Sequence, residues 1–152
     1  FQLLNHPAGR AGREQKPGRV LIQTHLPDHP VMQALARGDR EAFMAAEAED
    51  RREAAMPPYG RLAALILSGP ETAIVKRESR NIVKAAPTHH GWHILGPAPA
   101  PLALLRGRYR ERILIKAPAD PAMPDKIAAW LGAVKLPNAV RLQVDIDPQS
   151  FF

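Results

Sequence analysis

Cysteine is absent from all 152 residues. Neither a disulfide nor a thiolate metal site can form within them, and a reducing compartment suits such a chain. Aromatic residues make up only 5%, so leucine, isoleucine, valine and alanine must supply the core. No apolar run approaches the roughly 18 residues of a membrane span. The opening FQLLNHPAGR lacks the basic-then-apolar layout of a signal peptide. A glycine-rich phosphate loop ending in Gly-Lys-Ser/Thr is also missing, so these residues alone have nothing to cradle a nucleotide. The expectation is a soluble, cytoplasmic chain which, opening in mid-pattern at Phe1, is a piece of something longer.

What is present is an uneven charge. The net charge is +6. Residues 1–56 carry eight basic and eight acidic side chains, whereas residues 57–152 carry thirteen and seven. The whole excess sits in the second part, and a basic domain beside a neutral segment points to a polyanionic partner, most often nucleic acid. The boundary is placed at Pro57-Pro58, because proline has no amide hydrogen and clashes with the preceding turn of a helix.

Before that boundary, Phe1–Leu4 reads as a helix end and 5–18 as a glycine-rich loop. RVLIQT (19–24) reads as a buried strand. Asp28 is expected to cap a helix over 29–36, and Asp39 another over 40–56. After it come a strand at 61–69, a helix at 71–85 and a short strand at 92–95 leading into a stiff GPAPAPLALL. A strand at 109–116, a helix at 125–134 and a strand at 140–146 follow. Strand–helix–strand twice over predicts an α+β fold. Its form is a ferredoxin-like four-stranded antiparallel sheet with two helices (βαββαβ) on one face.

Four clusters could carry chemistry. In GRAGR, Arg10 and Arg13 lie three apart among glycines, and guanidinium forks match phosphate oxygens; a solvated basic loop is the bland alternative. In LLRGRYRERILIK, the residues Arg106, Arg108, Arg110 and Arg112 share one parity, so an extended strand projects them from one face. With Tyr109 beside them they could track DNA phosphates; a solvated outer face is the alternative. Leu114 and Glu111 each fall on the less fitting side. THHGWH has three histidines but no familiar zinc spacing, and reads as a turn. In DIDP, paired carboxylates more often mark a strand end than a cation or acid–base site.

Several stretches together resemble a known family. GRAGR with KPGRVLIQTHLPDHPVM looks like helicase motif VI and the last strand of a second motor lobe. MPPYGRLAALILSG, HILGPAPAPLALLRGRYRERILIK and VDIDPQSFF are similar, in that order, to the C-terminal end of the PriA family of bacterial replication-restart DNA helicases. Where the motif usually carries a glutamine and a small apolar residue, this chain has His6 and Pro7.

The resemblance implies that 1–56 is the tail of the motor lobe and 57–152 a C-terminal DNA- or partner-binding domain. The parent it implies is an ATP-dependent helicase moving 3′ to 5′, with ATP, magnesium and zinc, while these residues alone are expected to be inactive. It further implies nucleotide-phosphate contact by Arg10 and Arg13. The implied partners are single-stranded and branched DNA, the acidic tail of single-stranded DNA-binding protein and primosome loading proteins. Lys126 is the candidate for contact with that tail. No membrane is expected, and a cytoplasmic, nucleoid-associated monomer is.

Overall fold

The computed structural model describes residues 21–148. The expected helix end at Phe1–Leu4, the loop over 5–18, GRAGR and the first two residues of RVLIQT lie outside the described residues. The chain divides into two compact units between Asp50 and Arg51, six residues before the boundary expected at Pro57. The exit from the preceding helix explains the offset. Arg51 Nη1 donates to the Pro57 carbonyl at 3.1 Å, and the Met56 amide donates to the Arg51 carbonyl at 2.8 Å. These bonds tie the end of the helix to the segment that follows it.

In the first unit, residues 21–24 form no strand, contrary to expectation, and Leu21 is 96% exposed. A strand persists only when neighbours take up its backbone groups, and no described strand runs beside these residues. Helix α1 spans Pro30–Ala36. Its cap is His29 rather than Asp28, with Nδ1 accepting from the Val31 amide at 3.4 Å. Helix α2, Arg40–Glu53, is capped as expected by Asp39, whose Oδ1 accepts from the Ala42 amide at 3.0 Å. It stops before Met56 because Ala55 turns to φ 42°. Ala34, Leu35 and Phe43 form a small core of their own.

The second unit carries β1 (Gly60–Gly69), α3 (Thr72–Lys84), β2 (His93–Leu105), β3 (Arg108–Pro118), α4 (Met123–Gly132) and β4 (Arg141–Ile146). The sheet order is β2-β3-β1-β4, with every neighbouring pair antiparallel. This α+β sheet has the expected ferredoxin-like order. Period-two alternation sends Ala63, Leu65 and Leu67 of β1 and Ile113, Ile115 and Ala117 of β3 to one side. They meet Val75 and Ile82 of α3, and Met123, Ile127 and Trp130 of α4, in one core. Val75, Glu78, Ser79 and Ile82 fall on a single helical stripe. Ala73 lies off that stripe and is exposed. Each fully buried leucine or isoleucine here stabilises the fold by about 1.5–3 kcal/mol.

Strand β2 is longer than the short strand expected at 92–95, running through GPAPAP to Leu105. Proline cannot donate to a ladder and is tolerated at a sheet edge or a bulge. β2 is an edge strand, and its register against β3 shifts between Leu95 and Ala98 and again between Pro99 and Leu104. Gly96 is required at the first shift. Its φ is +99°, and a Cβ there would come 2.8 Å from the Arg112 carbonyl oxygen. The two strands close through Arg106 and Gly107, at φ 50° and 72°, between the paired Leu105 and Arg108. Positive φ at both central residues is the turn whose twist matches a hairpin.

Candidate nucleic-acid interface

The helices cover one face of the sheet, so the even-numbered residues of β3 point to the other. Arg110 is paired with Ser68, Arg112 with Ile66, Leu114 with Ala64 and Lys116 with Leu62. From β4, Arg141 stands opposite Ser68, Gln143 opposite Ile66 and Asp145 opposite Ala64. Arg110 and Arg141 therefore flank Ser68 in one row, their Cα atoms about 10 Å apart across three strands. The far end of this face is closed: Leu62 and Ala64 are only 1% and 6% exposed. The open end is the cationic one.

The arginines expected to act alike have different fates. Arg106 is not in the strand at all; it sits in the hairpin turn, exposed, with no side-chain partner among the described residues. Arg108 is used inside the fold. Its Nη2 donates to the Ser68 carbonyl at 2.8 Å and to the Ala139 carbonyl at 3.0 Å. Arg110 donates through Nη1 to the Pro101 carbonyl at 3.1 Å, and its other N–H groups meet no acceptor among the described residues. Arg112 is half-buried. Tyr109, of opposite parity, is 39% exposed at the helix-side edge. Of the four, Arg110 and Arg112 share one face of β3 by register, while Arg108 is drawn down by two carbonyls and Arg106 lies in the turn.

Sequence reasoning missed Arg141 and Gln143. Both are exposed, and Arg141 makes no hydrogen bond or ion pair among the described residues. The alternation of RLQVDI already placed them on one face, but pairing with β1 was needed to set that face beside Arg110.

Lys126 lies on α4. Its Nζ contacts Asp120 Oδ2 at 2.6 Å. That bond, with the Ala122 amide, holds the Asp120 carboxyl below its usual range. Lys126 also lines a cavity of about 340 Å³ with Ala85, Pro87, His89, Ala129, Trp130 and Ala133. The Trp130 indole Nε1 is buried without an acceptor among the described residues.

The remaining clusters are structural. In THHGWH the Trp92 amide donates to the His89 carbonyl at 3.1 Å, closing a turn, and the two rings meet edge to face at 4.7 Å. In DIDP, Asp147 accepts from Arg61 Nη2 at 2.6 Å and from the Leu62 amide at 3.1 Å, while its own amide donates to the Leu62 carbonyl at 2.8 Å. It clamps the end of β4 to the start of β1. Burial pushes its carboxyl up, but Arg61 and the Leu62 amide outweigh this and leave it below its usual value. Among the described residues no three His, Asp or Glu side chains converge as metal ligands. No helix among the described residues is long and apolar enough to cross a membrane.

The second unit is an α+β domain of ferredoxin-like order with arginines at one end of its sheet face, and comparison with known proteins narrows its class. Residues 52–149 match the family model of the primosomal protein N C-terminal domain. The replication restart protein PriA of Rickettsia conorii is 40% identical over 152 residues, covering 100% of this chain and 23% of the relative. Those of Synechocystis and Haemophilus influenzae are 36% and 31% identical over 154 and 152 residues, covering 99% and 98% of this chain and 18% and 21% of the relatives. The chain belongs to the PriA family and corresponds to its C-terminal part, spanning about a fifth of the length of those relatives.

Proposed function

We propose that the open end of the sheet face holds the backbone of single-stranded or forked DNA, within an ATP-dependent 3′–5′ DNA helicase of replication restart and primosome assembly. The observation that carries this is the row in which Arg110 and Arg141 flank Ser68, with Arg112 one row behind. Cations fixed on a flat sheet, without a paired array of base-reading groups, suit contact with phosphates and little sequence preference. In the same reading Arg10 and Arg13, outside the described residues, contact nucleotide phosphates in the complete motor, and the present residues alone turn over no ATP.

The test is a titration of labelled single-stranded DNA at several salt concentrations. Two phosphate contacts, at Arg110 and Arg141, contribute about −1.4 to the slope of log affinity against log salt. Replacing Arg110 and Arg141 by alanine should weaken binding to all sequences alike and reduce that slope by about 1.4. A double variant with the parent's affinity and slope sinks the proposal.

A second reading is favoured by the cavity beside Lys126, where a lysine borders an apolar wall that includes Ala129, Trp130 and Ala133. It suits an acidic peptide, such as the tail of single-stranded DNA-binding protein. Titrating that peptide should quench tryptophan fluorescence, and Lys126→Glu should abolish the effect while leaving DNA binding intact. An unchanged peptide titration in the variant removes Lys126 from the site.

A further inference from the structure

Phosphate contact explains arginines but not leucines. Leu102, Leu104, Leu105 and Tyr109 are 69%, 57%, 42% and 39% exposed, and all four surround the β2–β3 turn. Solvent-facing leucines gathered at one tip mark an interaction surface. The tip reaches past its neighbour: β1 ends at Gly69 opposite Tyr109, and beyond that point Arg108 is paired only with Leu105. It is also braced. Arg108 fastens its base to the Ser68 and Ala139 carbonyls, and Arg110 holds the bulge through the Pro101 carbonyl. Arg106, exposed and unpartnered among the described residues, stands at its apex.

We propose that this hairpin tip is a wedge seated at a junction between single- and double-stranded DNA. The exposed leucines cover the face of the last base pair, and Arg106 meets the phosphate beside it. The proposal rests on the sheet reading above and adds its structural preference. Three observations favour nucleic acid over a protein partner or a second copy. No acidic residue occurs between Glu78 and Glu111, so the whole segment is complementary to a polyanion. The tip is continuous with the row of Arg110 and Arg141. Its apolar side chains are of the kind that proteins insert where base stacking is interrupted, replacing the lost stacking with van der Waals cover. A strand held on the cationic row would leave the sheet at the tip, where the duplex begins.

The experiment compares binding of the 152-residue chain to a forked DNA, a single strand and a blunt duplex, with 2-aminopurine at the fork's last base pair. The parent should prefer the fork to the single strand by about fivefold and raise the 2-aminopurine signal. The variant Leu104→Ser with Leu105→Ser changes exposed side chains and should keep the fold. It should lose the preference and the signal while retaining single-strand affinity and salt slope; Leu104→Met with Leu105→Met should retain all of them.

A serine variant that keeps the fork preference and the signal overturns the wedge and leaves the sheet reading standing. A parent chain that binds no DNA overturns both. If the parent sediments as a dimer that the serine variant dissolves, or if only binding of the acidic tail peptide is lost in that variant, the leucines belong to a protein contact and the wedge is refuted.

Discussion

Arg108 and Arg141 are both surface arginines near the same end of the sheet, and their removal should have opposite consequences. The Arg108 guanidinium donates to two backbone carbonyls, Ser68 at 2.8 Å and Ala139 at 3.0 Å. Those bonds fix the last turn before β4 against the end of β1. Hydrogen bonds from a charged donor contribute about 1.5–3 kcal/mol each when buried, and partial exposure to water cuts this by about half. Arg108→Ala should therefore cost about 1–3 kcal/mol in all. For the roughly 100 residues of the second unit, each kcal/mol moves the melting temperature by about 4–8 °C. A drop of roughly 4–24 °C follows. Arg141 makes no such bonds among the described residues, so Arg141→Ala should leave the melting temperature within about 2 °C of the parent. Its effect should fall on DNA affinity and salt slope instead. Thermal unfolding followed by circular dichroism, beside the salt-dependent titration, reads both. If Arg108→Ala melts with the parent and loses DNA affinity as Arg141→Ala does, the carbonyl anchoring has been given a role it does not have.

Asp147 should make the second unit acid-sensitive. Its folded pKa lies below the ordinary value, so its stabilisation is fully present above the unfolded carboxylate pKa of about 3.9. That stabilisation is lost as pH falls through the lower, folded value. Asp147→Ala should cost about 1–2 kcal/mol at pH 7, discounted for partial exposure, and the gap between its denaturant midpoint and the parent's should narrow as pH falls below the ordinary carboxylate range; a gap of constant size refutes the assignment. Gly96→Ala should destabilise by about 2 kcal/mol or more, because φ is +99° and the added Cβ meets a carbonyl oxygen at 2.8 Å. Urea melts check this, and a change below about 0.5 kcal/mol means that the backbone relaxes.

The order of strands and helices was legible because each element carries its own period. RLAALILSG, the stripe Val75–Glu78–Ser79–Ile82 and ERILIK announce themselves whatever surrounds them. Where expectation failed, the deciding group was elsewhere in the chain. RVLIQT has the composition of a strand, but 21–24 lack a described neighbour to complete them. GPAPAP reads as a stiff linker until the sheet makes it an edge, where missing amide hydrogens do no harm. Asp28 and His29 compete for one cap, and only the backbone angle at residue 29 decides it.

The basic strand shows the same limit at the site. Parity assigned a face to each arginine, yet parity says nothing of what else reaches that face. Arg108 and Arg110 are two residues apart and share a side; one finds two carbonyls within 3.0 Å and the other only one at 3.1 Å. The acceptors come from Ser68, Ala139 and Pro101, three separate segments whose convergence is a property of the β2-β3-β1-β4 order. A guanidinium anchored to the backbone holds the surface in shape, and one left with spare N–H groups can meet a phosphate. Arg141 is the converse case: an arginine outside the basic run becomes part of the cationic row because β4 closes against β1 with Ser68 between it and Arg110. The density of arginines in RGRYRER located the right end of the sheet, and the strand order decides which of them remain available to a ligand.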